Sequence, residues 1–435
     1  MERDILKKLL EWKQSKRRKP LVVEGARQVG KTWAVKEFGR RHYDHLAYVN
    51  FEEAKHLQGM FLQDYDTNRM LRAIRTQCGV PCEAGKTLIF LDAIQEAEGG
   101  LAALKYFCEN CPEQHIIVAG SLLGIALHRG VSFPVGKINF MQMQPMNFCE
   151  FLMAIGDGAL ASAIEQNDVD TLSMFHEKLT NRLKEYYFVG GMPEAVQAYA
   201  DDAEWSEIRE IHNEILRGYE DDFSKHAEGV VVERLRQLWR SVPGQLSREN
   251  KKFLFGLIRE GARAREYEVA LQWLFDAGLL HRVSGLTKPA LPLSAYRDEK
   301  AFKVFLNDIG LLSSMSGLEA RTILDGSAIF TEFKGALTEQ FVFQQLHVTK
   351  ELFYWSKDNA RQEVDFLLQR GNELLPIECK AEENLRSKSL KSFIDEHDVK
   401  HAVKASMLPY KASGEIVTNT PLYLIPAVCR SALCL

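Results

Sequence analysis

The chain has 435 residues, of which 46% are hydrophobic, and its formal net charge is −4. This length allows about three globular domains, and the apolar content is ordinary for a globular protein rather than a disordered one. The mild negative charge excludes a protein that coats nucleic acid by bulk electrostatics, so any such binding must use local basic patches.

Neither export nor membrane insertion is expected. No segment approaches the roughly 18 to 20 uninterrupted apolar residues of a membrane span. The first residues, Met1–Asp4, are charged and lack the apolar core of a signal peptide. We therefore predict a cytoplasmic protein whose eight cysteines are reduced. The spacings of two pairs suit a zinc site, with buried thiols as the alternative; the pairs are Cys78 with Cys82 and Cys108 with Cys111.

The first motif follows the apolar run Leu21–Val23 and fits the phosphate-binding pattern G-x-x-x-x-G-K-[ST]. Such a loop wraps phosphates with its backbone N–H groups and with the start of the next helix, predicted over Lys31–Arg41. Lys31 is expected to place its ammonium against the outer phosphates, and Thr32 to offer its hydroxyl to Mg²⁺. The sequence therefore predicts a nucleoside triphosphate site formed by Gly25, Ala26, Arg27, Gln28, Val29, Gly30, Lys31 and Thr32.

The second apolar run, Thr87–Asp92, ends in a carboxylate, which is how a buried parallel strand delivers an acid to the metal beside a P-loop. Asp92 is the predicted magnesium-side acid. Hydrolysing P-loop enzymes of the AAA+ kind usually carry Glu at the next position as the base that orients water, and this chain has Ala93. Loss of a general base typically costs about 10²- to 10⁴-fold in rate. Two explanations are open: Ala93 locks the protein in its bound state, or Glu96, about one helical turn further on, positions the water instead.

A third strand is predicted over His115–Ala119. Ser121 follows it and is either a γ-phosphate sensor or a cap of the next helix. Arg129 is either an arginine finger that acts in trans on a neighbouring subunit, which predicts a homo-oligomer, or a solvated loop residue. Lys137 is the competing cation.

Beyond this core the pattern becomes helical. A helix through Leu183–Tyr187 ends at Gly190 and Gly191 before another begins at Glu194, which describes a helical lid, and the polar stretch Asp221–His226 suits a linker. Three helices and a hairpin then describe a winged helix, with a packing adaptor that makes no DNA contact as the alternative. The three helices are predicted at Arg234–Ser241, Lys251–Glu260 and Glu266–Ala277.

The last third contains a second set of candidate residues. Glu378 and Lys380 alternate along one strand, so they share a face, and Asp365 lies on the preceding strand. With Glu339 from an apolar-faced helix, they form the set that a metal-dependent phosphodiesterase needs, in which Asp365 and Glu378 hold Mg²⁺ and Lys380 orients or deprotonates a water. The alternative is a salt-bridged sheet edge without cleavage. The helix is predicted over Gly335–Leu346 and the strands over Glu363–Leu368 and Pro376–Lys380.

Taken together, these motifs resemble a family of prokaryotic AAA-type ATPases whose C-terminal domain of unknown function has a PD-(D/E)XK nuclease-like fold. The matching segments are Gly25–Thr32, Leu91–Gln95, Gly120–Gly124, Phe133–Lys137, Gly190–Glu194, Asp222–His226, Asn307–Leu312 and the set Glu339, Asp365, Glu378 and Lys380. The resemblance implies an α/β P-loop core that binds ATP with Mg²⁺, a helical or winged-helix middle part and a nuclease-like end. Ala93 departs from the family pattern, which usually has Asp-Glu there.

We therefore predict a P-loop core over 1–160, a helical lid and linker over 161–226, a winged-helix-like part over 227–300 and a restriction-endonuclease-like α/β domain over 301–435. The predicted function is an ATPase, weakened at Ala93, whose nucleotide state controls a nuclease-like domain acting on DNA. The alternative is a nucleotide-gated switch or scaffold that binds DNA or a protein and cuts nothing. Two basic clusters are candidates for DNA contact: Lys13, Lys16, Arg17, Arg18 and Lys19; and Lys380, Arg386, Lys388, Lys391, Lys400 and Lys404.

Overall fold

The computed structural model describes residues 1–62, 64–120, 136–248, 252–325, 331–348, 350–357, 362–381 and 387–428. Its contacts divide the chain into two units. The N-terminal unit comprises Glu2–Gln144 together with Asp276–Leu279, and the C-terminal unit comprises Pro145–Phe275 and Leu280–Leu435, with Met1. No helix among the described residues combines the length and apolar character that crossing a bilayer demands.

Helices and parallel strands alternate in the N-terminal unit. In chain order these elements are α1 (Asp4–Gln14), β1 (Leu21–Glu24), α2 (Lys31–His42), β2 (His45–Asn50), α3 (Thr67–Cys78), β3 (Thr87–Asp92), α4 (Gly100–Asn110), β4 (His115–Ala119) and β5 (Asn139–Gln142). The predicted helix and strands of the first three motifs are confirmed to within one residue at each end. Their ends follow local chemistry: the Asp66 carboxylate caps the start of α3, and Gly79 ends α3 in the left-handed region at a φ of 67°.

The five strands form one parallel sheet in the order β2-β3-β4-β1-β5. Strands covered on both faces have nearly continuous apolar sequences, and every residue of β3 and of β4 is buried. A core cluster that includes Val49, Leu91 and Phe107 stabilises this arrangement, with each fully buried large side chain contributing about 1.5–3 kcal/mol. Because the strands are parallel, the residues after β1 and β3 lie at the same edge of the sheet.

The C-terminal unit begins as a helical array and ends in a mixed sheet. Its helices are α5 (Phe148–Ala154), α6 (Gly158–Gln166), α7 (Val169–Met174), α8 (His176–Val189), α9 (Pro193–Ala200), α10 (Trp205–His226), α11 (Gly229–Leu246), α12 (Ala264–Asp276, whose last residue belongs to the N-terminal unit), α13 (Ile309–Met315), α14 (Ala320–Asp325), α15 (Thr331–Leu346), α16 (Lys388–Glu396) and α17 (Ile425–Val428). Its strands are β6 (Leu280–Leu286), β7 (Arg297–Leu306), β8 (Phe353–Lys357), β9 (Gln362–Arg370), β10 (Glu373–Cys379), β11 (Ala402–Ser406), β12 (Lys411–Ser413) and β13 (Val417–Pro421).

These strands form a single eight-stranded sheet in the order β12-β13-β11-β10-β9-β8-β6-β7. The hairpin of β6 and β7 pairs antiparallel, and β6 then continues the sheet through parallel pairing with β8. The hairpin predicted as the wing of a winged helix is therefore part of the C-terminal sheet. The domain boundary predicted at residues 300 and 301 lies inside β7.

Two local predictions for this unit are wrong. Residues Asp221–His226 do not form a linker but the last turns of α10, where Phe223 is buried against Trp239 and Trp273. The helix predicted over Lys251–Glu260 is replaced, in its described part, by a 3₁₀ turn at Phe255–Leu257. There the Gln245 side-chain amide bonds both backbone polar groups of Leu254, at 2.9 and 3.0 Å, which takes the place of helical hydrogen bonds.

A buried carboxylate links two of the motifs. Asp308 accepts hydrogen bonds from the backbone N–H groups of Gly191 at 2.6 Å and Leu311 at 3.0 Å. Burial raises the pKa of Asp308. A Cβ atom on Gly191 would lie 2.0 Å from the Met146 carbonyl oxygen, so only glycine fits there. The segments around Gly191 and Asp308 thus have a structural reason for their composition that involves no ligand.

Candidate functional site

The turn after β1 has the backbone geometry of an anion-binding nest. Gly25, Gln28 and Gly30 all have positive φ angles, of 144°, 66° and 93°. A Cβ atom on Gly25 would lie 2.1 Å from the Met143 carbonyl oxygen, so this position admits only glycine. Gly30 precedes the first residue of α2 in the left-handed region. Alternation of positive and negative φ angles turns successive backbone N–H groups toward one concavity. This concavity lies at the N-terminal end of α2, which is the positive end of the helix dipole.

Lys31 lies within this loop and is almost completely buried, with 7% of its surface exposed. Its ammonium donates hydrogen bonds to the carbonyl oxygens of Gly25 at 2.9 Å and Ala26 at 2.7 Å. Burial lowers the pKa of Lys31 to about 8, against the opposing effect of Asp92. An anion in the loop would offer this desolvated ammonium a stronger partner than neutral carbonyl groups do.

Thr32 and Asp92 come together as the sequence predicts. The Thr32 hydroxyl donates a hydrogen bond of 2.7 Å to Asp92 Oδ2, which also accepts from the Tyr48 hydroxyl at 3.3 Å. The backbone N–H of Ala93 donates to Asp92 Oδ1 at 3.0 Å. Two hydroxyl groups and one backbone N–H therefore orient the Asp92 carboxylate. These residues fit Mg²⁺, which takes few protein oxygens and completes its octahedron with phosphate and water.

Ala93 has a left-handed backbone, with φ of 52° and ψ of 42°, and its exposed fraction is only 8%. A non-glycine residue in this region costs about 1 kcal/mol or more, and such strain is concentrated at functional sites. The methyl side chain cannot orient a water. Glu96 ends a 3₁₀ turn that begins at Ile94, so the chain after Asp92 is tighter than the α-helical turn expected.

Sequence analysis missed two residues of this site. Arg3 is 5% exposed, and its guanidinium donates to the Val29 carbonyl at 3.1 Å and the Gln144 carbonyl at 2.7 Å, which braces the loop. Tyr48 lies on β2 and holds Asp92. Neither belongs to a motif; the only available signal for Tyr48 was its place in the strand that pairs with β3.

Other predicted residues fall outside this site. Ser121 and Arg129 lie outside the described residues. Lys137 forms an ion pair of 2.9 Å with Glu109. The thiols of Cys78 and Cys111 each donate a hydrogen bond, to a backbone carbonyl and to a threonine hydroxyl. In the basic cluster before β1, Lys13, Arg18 and Lys19 bond backbone carbonyl oxygens, so much of its charge is already engaged.

The C-terminal unit brings the second set of predicted residues together. Lys380 pairs with Glu378 at 2.6 Å, and the backbone N–H of Cys379 donates to Asp365 Oδ2 at 2.7 Å. Burial raises the pKa of Asp365 well above its usual range, and the carboxylates of Glu339 and Glu378 raise it further. Burial opposes protonation of Lys380, but its pKa is raised because Glu378 stabilises the ammonium.

Sequence analysis missed the central cation of this cluster. Lys303 on β7 has a wholly buried side chain, lies 3.4 Å from Glu339 Oε2 and forms an ion pair with Glu363. Burial alone would lower the pKa of Lys303, but the surrounding carboxylates outweigh it and raise the pKa. The available signal was a single lysine in the otherwise apolar run Ala301–Leu306, together with Glu363 two residues before Asp365 on the same strand face.

The described residues contain no group of three or more acidic, histidine or cysteine side chains placed to hold a metal ion. Within the same residues, Glu378 Oε2 is buried and has no hydrogen-bond partner. Of the two acids that the resemblance assigns to Mg²⁺, Glu378 pairs with the Lys380 ammonium and Asp365 accepts the Cys379 N–H, so the arrangement does not fit a metal as it stands.

Comparison with protein families divides the chain into three matches. Residues 17–152 match the AAA domain family, residues 180–322 match a domain of unknown function (DUF8612), and residues 334–427 match a second domain of unknown function (DUF4143). Residues 17–152 therefore form an AAA-type P-loop ATPase domain. The eight-stranded sheet draws β6 and β7 from the second match and β8 to β13 from the third.

Similar solved structures are distant. A Walker-type ATPase of Pyrococcus abyssi is 14% identical, over 72% of this chain and 95% of that one, with a TM-score of 0.42. The Orc1 protein of Aeropyrum pernix in complex with DNA is 12% identical over 72% and 91%, with a TM-score of 0.29. Cdc6p of Pyrobaculum aerophilum is 11% identical over 74% and 92%, with a TM-score of 0.25. These scores are too low to transfer a function. No curated protein is significantly similar in sequence.

Proposed function

From the AAA-type domain at residues 17–152, we propose that the chain is a nucleotide-gated switch that binds ATP with Mg²⁺ and hydrolyses it slowly. The observation that carries this proposal is the hydrogen bond of 2.7 Å between Thr32 and Asp92, followed directly by Ala93. The two groups that a P-loop uses to hold the metal are in place, and the group that usually activates water is replaced by a methyl.

Each residue has a role in binding. The N–H groups of Gly25–Gly30 hold the phosphates, and the Lys31 ammonium neutralises the outer ones. Thr32 and Asp92 would hold Mg²⁺, which would neutralise phosphate charge when bound. Tyr48 and the Ala93 N–H keep the Asp92 carboxylate aimed at that position. Arg3 limits movement of the loop through Val29.

Calorimetry and steady-state turnover test this proposal together. We expect wild type and Ala93→Glu to bind ATP with Mg²⁺ to within about threefold of each other, because binding rests on the loop. We expect Ala93→Glu to turn over ATP at least about tenfold faster, because a general base contributes about 10²- to 10⁴-fold. Lys31→Ala is the matched loss-of-binding control.

Two results would contradict parts of this proposal. Wild type that releases no heat with ATP and Mg²⁺ would remove the nucleotide proposal altogether. An unchanged rate in Ala93→Glu, with Glu96→Gln slowing the wild-type rate, would instead identify Glu96 as the residue that positions water.

The second candidate function is cleavage of DNA by the C-terminal unit under nucleotide control. The convergence of Asp365, Glu378 and Lys380 favours it, and the exposed residues Lys388 and Lys391 on α16 supply local positive charge for a phosphate backbone. The buried Lys303 disfavours it, since its ammonium already contacts Glu339 and Glu363. We therefore favour a switch that contacts DNA or a protein without cutting.

Incubation with plasmid and linear DNA separates the two candidates. We expect no cleavage in Mg²⁺, with or without ATP. Cleavage that Lys380→Ala abolishes, and that Lys357→Ala leaves intact, would support the nuclease. Lys357 is the matched control because it forms an exposed ion pair with Glu396 and lies on β8 of the same sheet.

A further inference from the structure

The surroundings of Lys303 are those of an enclosed ion site. Its ammonium lies 3.4 Å from Glu339 Oε2 of α15, forms an ion pair with Glu363 of β9 and sits 5.1 Å from the ring centroid of Tyr354 on β8. The side chain has no exposed surface. Carboxylates and an aromatic face from three elements therefore surround a single positive charge that reaches in from a fourth, β7.

The charges of the cluster explain why a cation is required there. Four carboxyl groups lie together, on Glu339, Glu363, Asp365 and Glu378, and burial of uncompensated carboxylates is strongly unfavourable. Lys380 compensates Glu378 from the rim, where 27% of its side chain is exposed. Lys303 supplies a positive charge from inside the cluster, where its ammonium contacts Glu339 and Glu363.

The same arrangement disagrees with a divalent metal. A divalent metal held by such a cluster takes one or two carboxylates whose lone pairs are free of other partners and directed at one point. Here Glu339 and Glu363 both contact the Lys303 ammonium, and the described residues hold no group of three or more side chains positioned as metal ligands.

We propose that Lys303 is the resident cation of this acidic cluster, in the place of the divalent ion that a metal-dependent phosphodiesterase would hold, and that the wild-type cluster binds no such ion. The proposal is independent of the nucleotide site. It also gives a specific consequence: removal of the Lys303 charge converts the cluster into a divalent-cation site, in which the unpartnered Glu378 Oε2 becomes a ligand.

Binding of Mn²⁺ to the full chain without nucleotide tests this directly, by electron paramagnetic resonance of free Mn²⁺. All variants carry Asp92→Asn, which removes the acid beside the P-loop. We expect no site tighter than about 1 mM in the protein that keeps Lys303, because its ammonium already contacts the Glu339 and Glu363 carboxylates that a divalent ion would need. We expect one site at least about tenfold tighter in Lys303→Met, and its loss in Lys303→Met with Glu378→Gln.

Lys357→Met is the matched control, since it removes an exposed lysine from the same sheet and should create no site. If Lys303→Met does not fold, the double variant Lys303→Met with Glu339→Gln takes its place. It removes both members of an ion pair and leaves Asp365, Glu363 and Glu378 to bind Mn²⁺. The proposal would be overturned if the protein that keeps Lys303 binds Mn²⁺ and Glu378→Gln abolishes that binding. A folded Lys303→Met protein, or folded double variant, that binds no Mn²⁺ would overturn it equally.

Discussion

At the scale of single residues, two lysines carry opposite electrostatic consequences of burial. Lys31 is buried among neutral carbonyl groups, so its ammonium is destabilised and its pKa falls to about 8. Lys303 is buried among carboxylates, so its ammonium is stabilised and its pKa rises. The Lys31 ammonium therefore remains available to an anionic ligand, whereas the Lys303 ammonium is already paired with carboxylates of the protein.

The pKa of Lys31 makes ATP affinity depend on pH. Phosphate binding requires the charged ammonium, so above pH 8 the free protein must take up a proton to bind, and affinity falls as pH rises through the pKa of about 8. Linkage predicts about tenfold weaker binding at pH 9 than at pH 7, whereas folding stability moves the opposite way because the unfolded chain keeps its proton longer. Calorimetric titration of ATP with Mg²⁺ at pH 7, 8 and 9 measures the slope.

Lys31→Arg is the control for this slope, because a guanidinium does not titrate in that range. Its affinity is expected to be lower overall and flat with pH. A wild-type affinity that is equally flat between pH 7 and 9 would contradict the assignment of Lys31 as the phosphate-binding ammonium.

At the scale of elements, the hydrophobic pattern and the positions of glycine and proline predicted the helices and strands well wherever backbone groups bond each other within regular secondary structure. The strands β3 and β4, the helix α2 and the helix break at Gly190 were all predicted. Prediction failed at Leu254, whose backbone groups are satisfied by the side chain of Gln245, 9 residues earlier, and at Phe223, whose burial depends on Trp273. Such partners are separated in sequence, so no local pattern encodes them.

The junction between α8 and α9 provides a stability prediction at this scale. Gly191→Ala places a methyl 2.0 Å from the Met146 carbonyl oxygen and strains the hydrogen bond of 2.6 Å from Met146 N–H to the Gly191 carbonyl. We expect a loss of about 1–3 kcal/mol in the local free energy of opening, typical of overpacking. Hydrogen exchange of the Met146 amide, followed by mass spectrometry, measures it.

Gly218→Ala is the matched control, because Gly218 lies inside α10 and a Cβ there meets nothing within 4 Å. Alanine should leave that helix unchanged or stabilise it by up to about 1 kcal/mol. Equal exchange rates for Met146 in Gly191→Ala and in wild type would show that the close packing at Gly191 is not required.

At the scale of the whole molecule, the chain combines an AAA-type domain at residues 17–152 with a C-terminal unit whose sheet spans two further family matches. The hairpin β6–β7 belongs to that sheet by its pairing with β8, although it lies far from β8 in sequence. The order of elements along the chain therefore suggested a separate winged-helix domain, whereas strand pairing joins the hairpin to the C-terminal sheet.

Assembly is the prediction that belongs to this scale. The predicted arginine finger at Arg129 would act on a neighbouring subunit, so this prediction requires association of at least two chains around ATP. We expect the mass in solution, measured by light scattering with ATP and Mg²⁺, to be at least about twice that without nucleotide, since the slow turnover proposed for Ala93 would preserve the bound state. Lys31→Ala should show no such increase. A persistent monomer would remove Arg129 as a finger.

By itself the sequence determined the phosphate-binding loop, the Thr32 and Asp92 pair, the order of helices and strands in the N-terminal unit, and the strand that carries Glu378 and is followed directly by Lys380. These depend on short-range chemistry: glycines at strained backbone positions, alternation along strands and apolar periodicity. Only the tertiary structure decided that Lys303 contacts Glu339 and Glu363, that Arg3 bonds the phosphate-binding loop and Tyr48 bonds Asp92, and that β6 and β7 extend the C-terminal sheet. The physical reason is that electrostatic compensation and strand pairing depend on distance in space, which residues far apart along the chain acquire only when it folds.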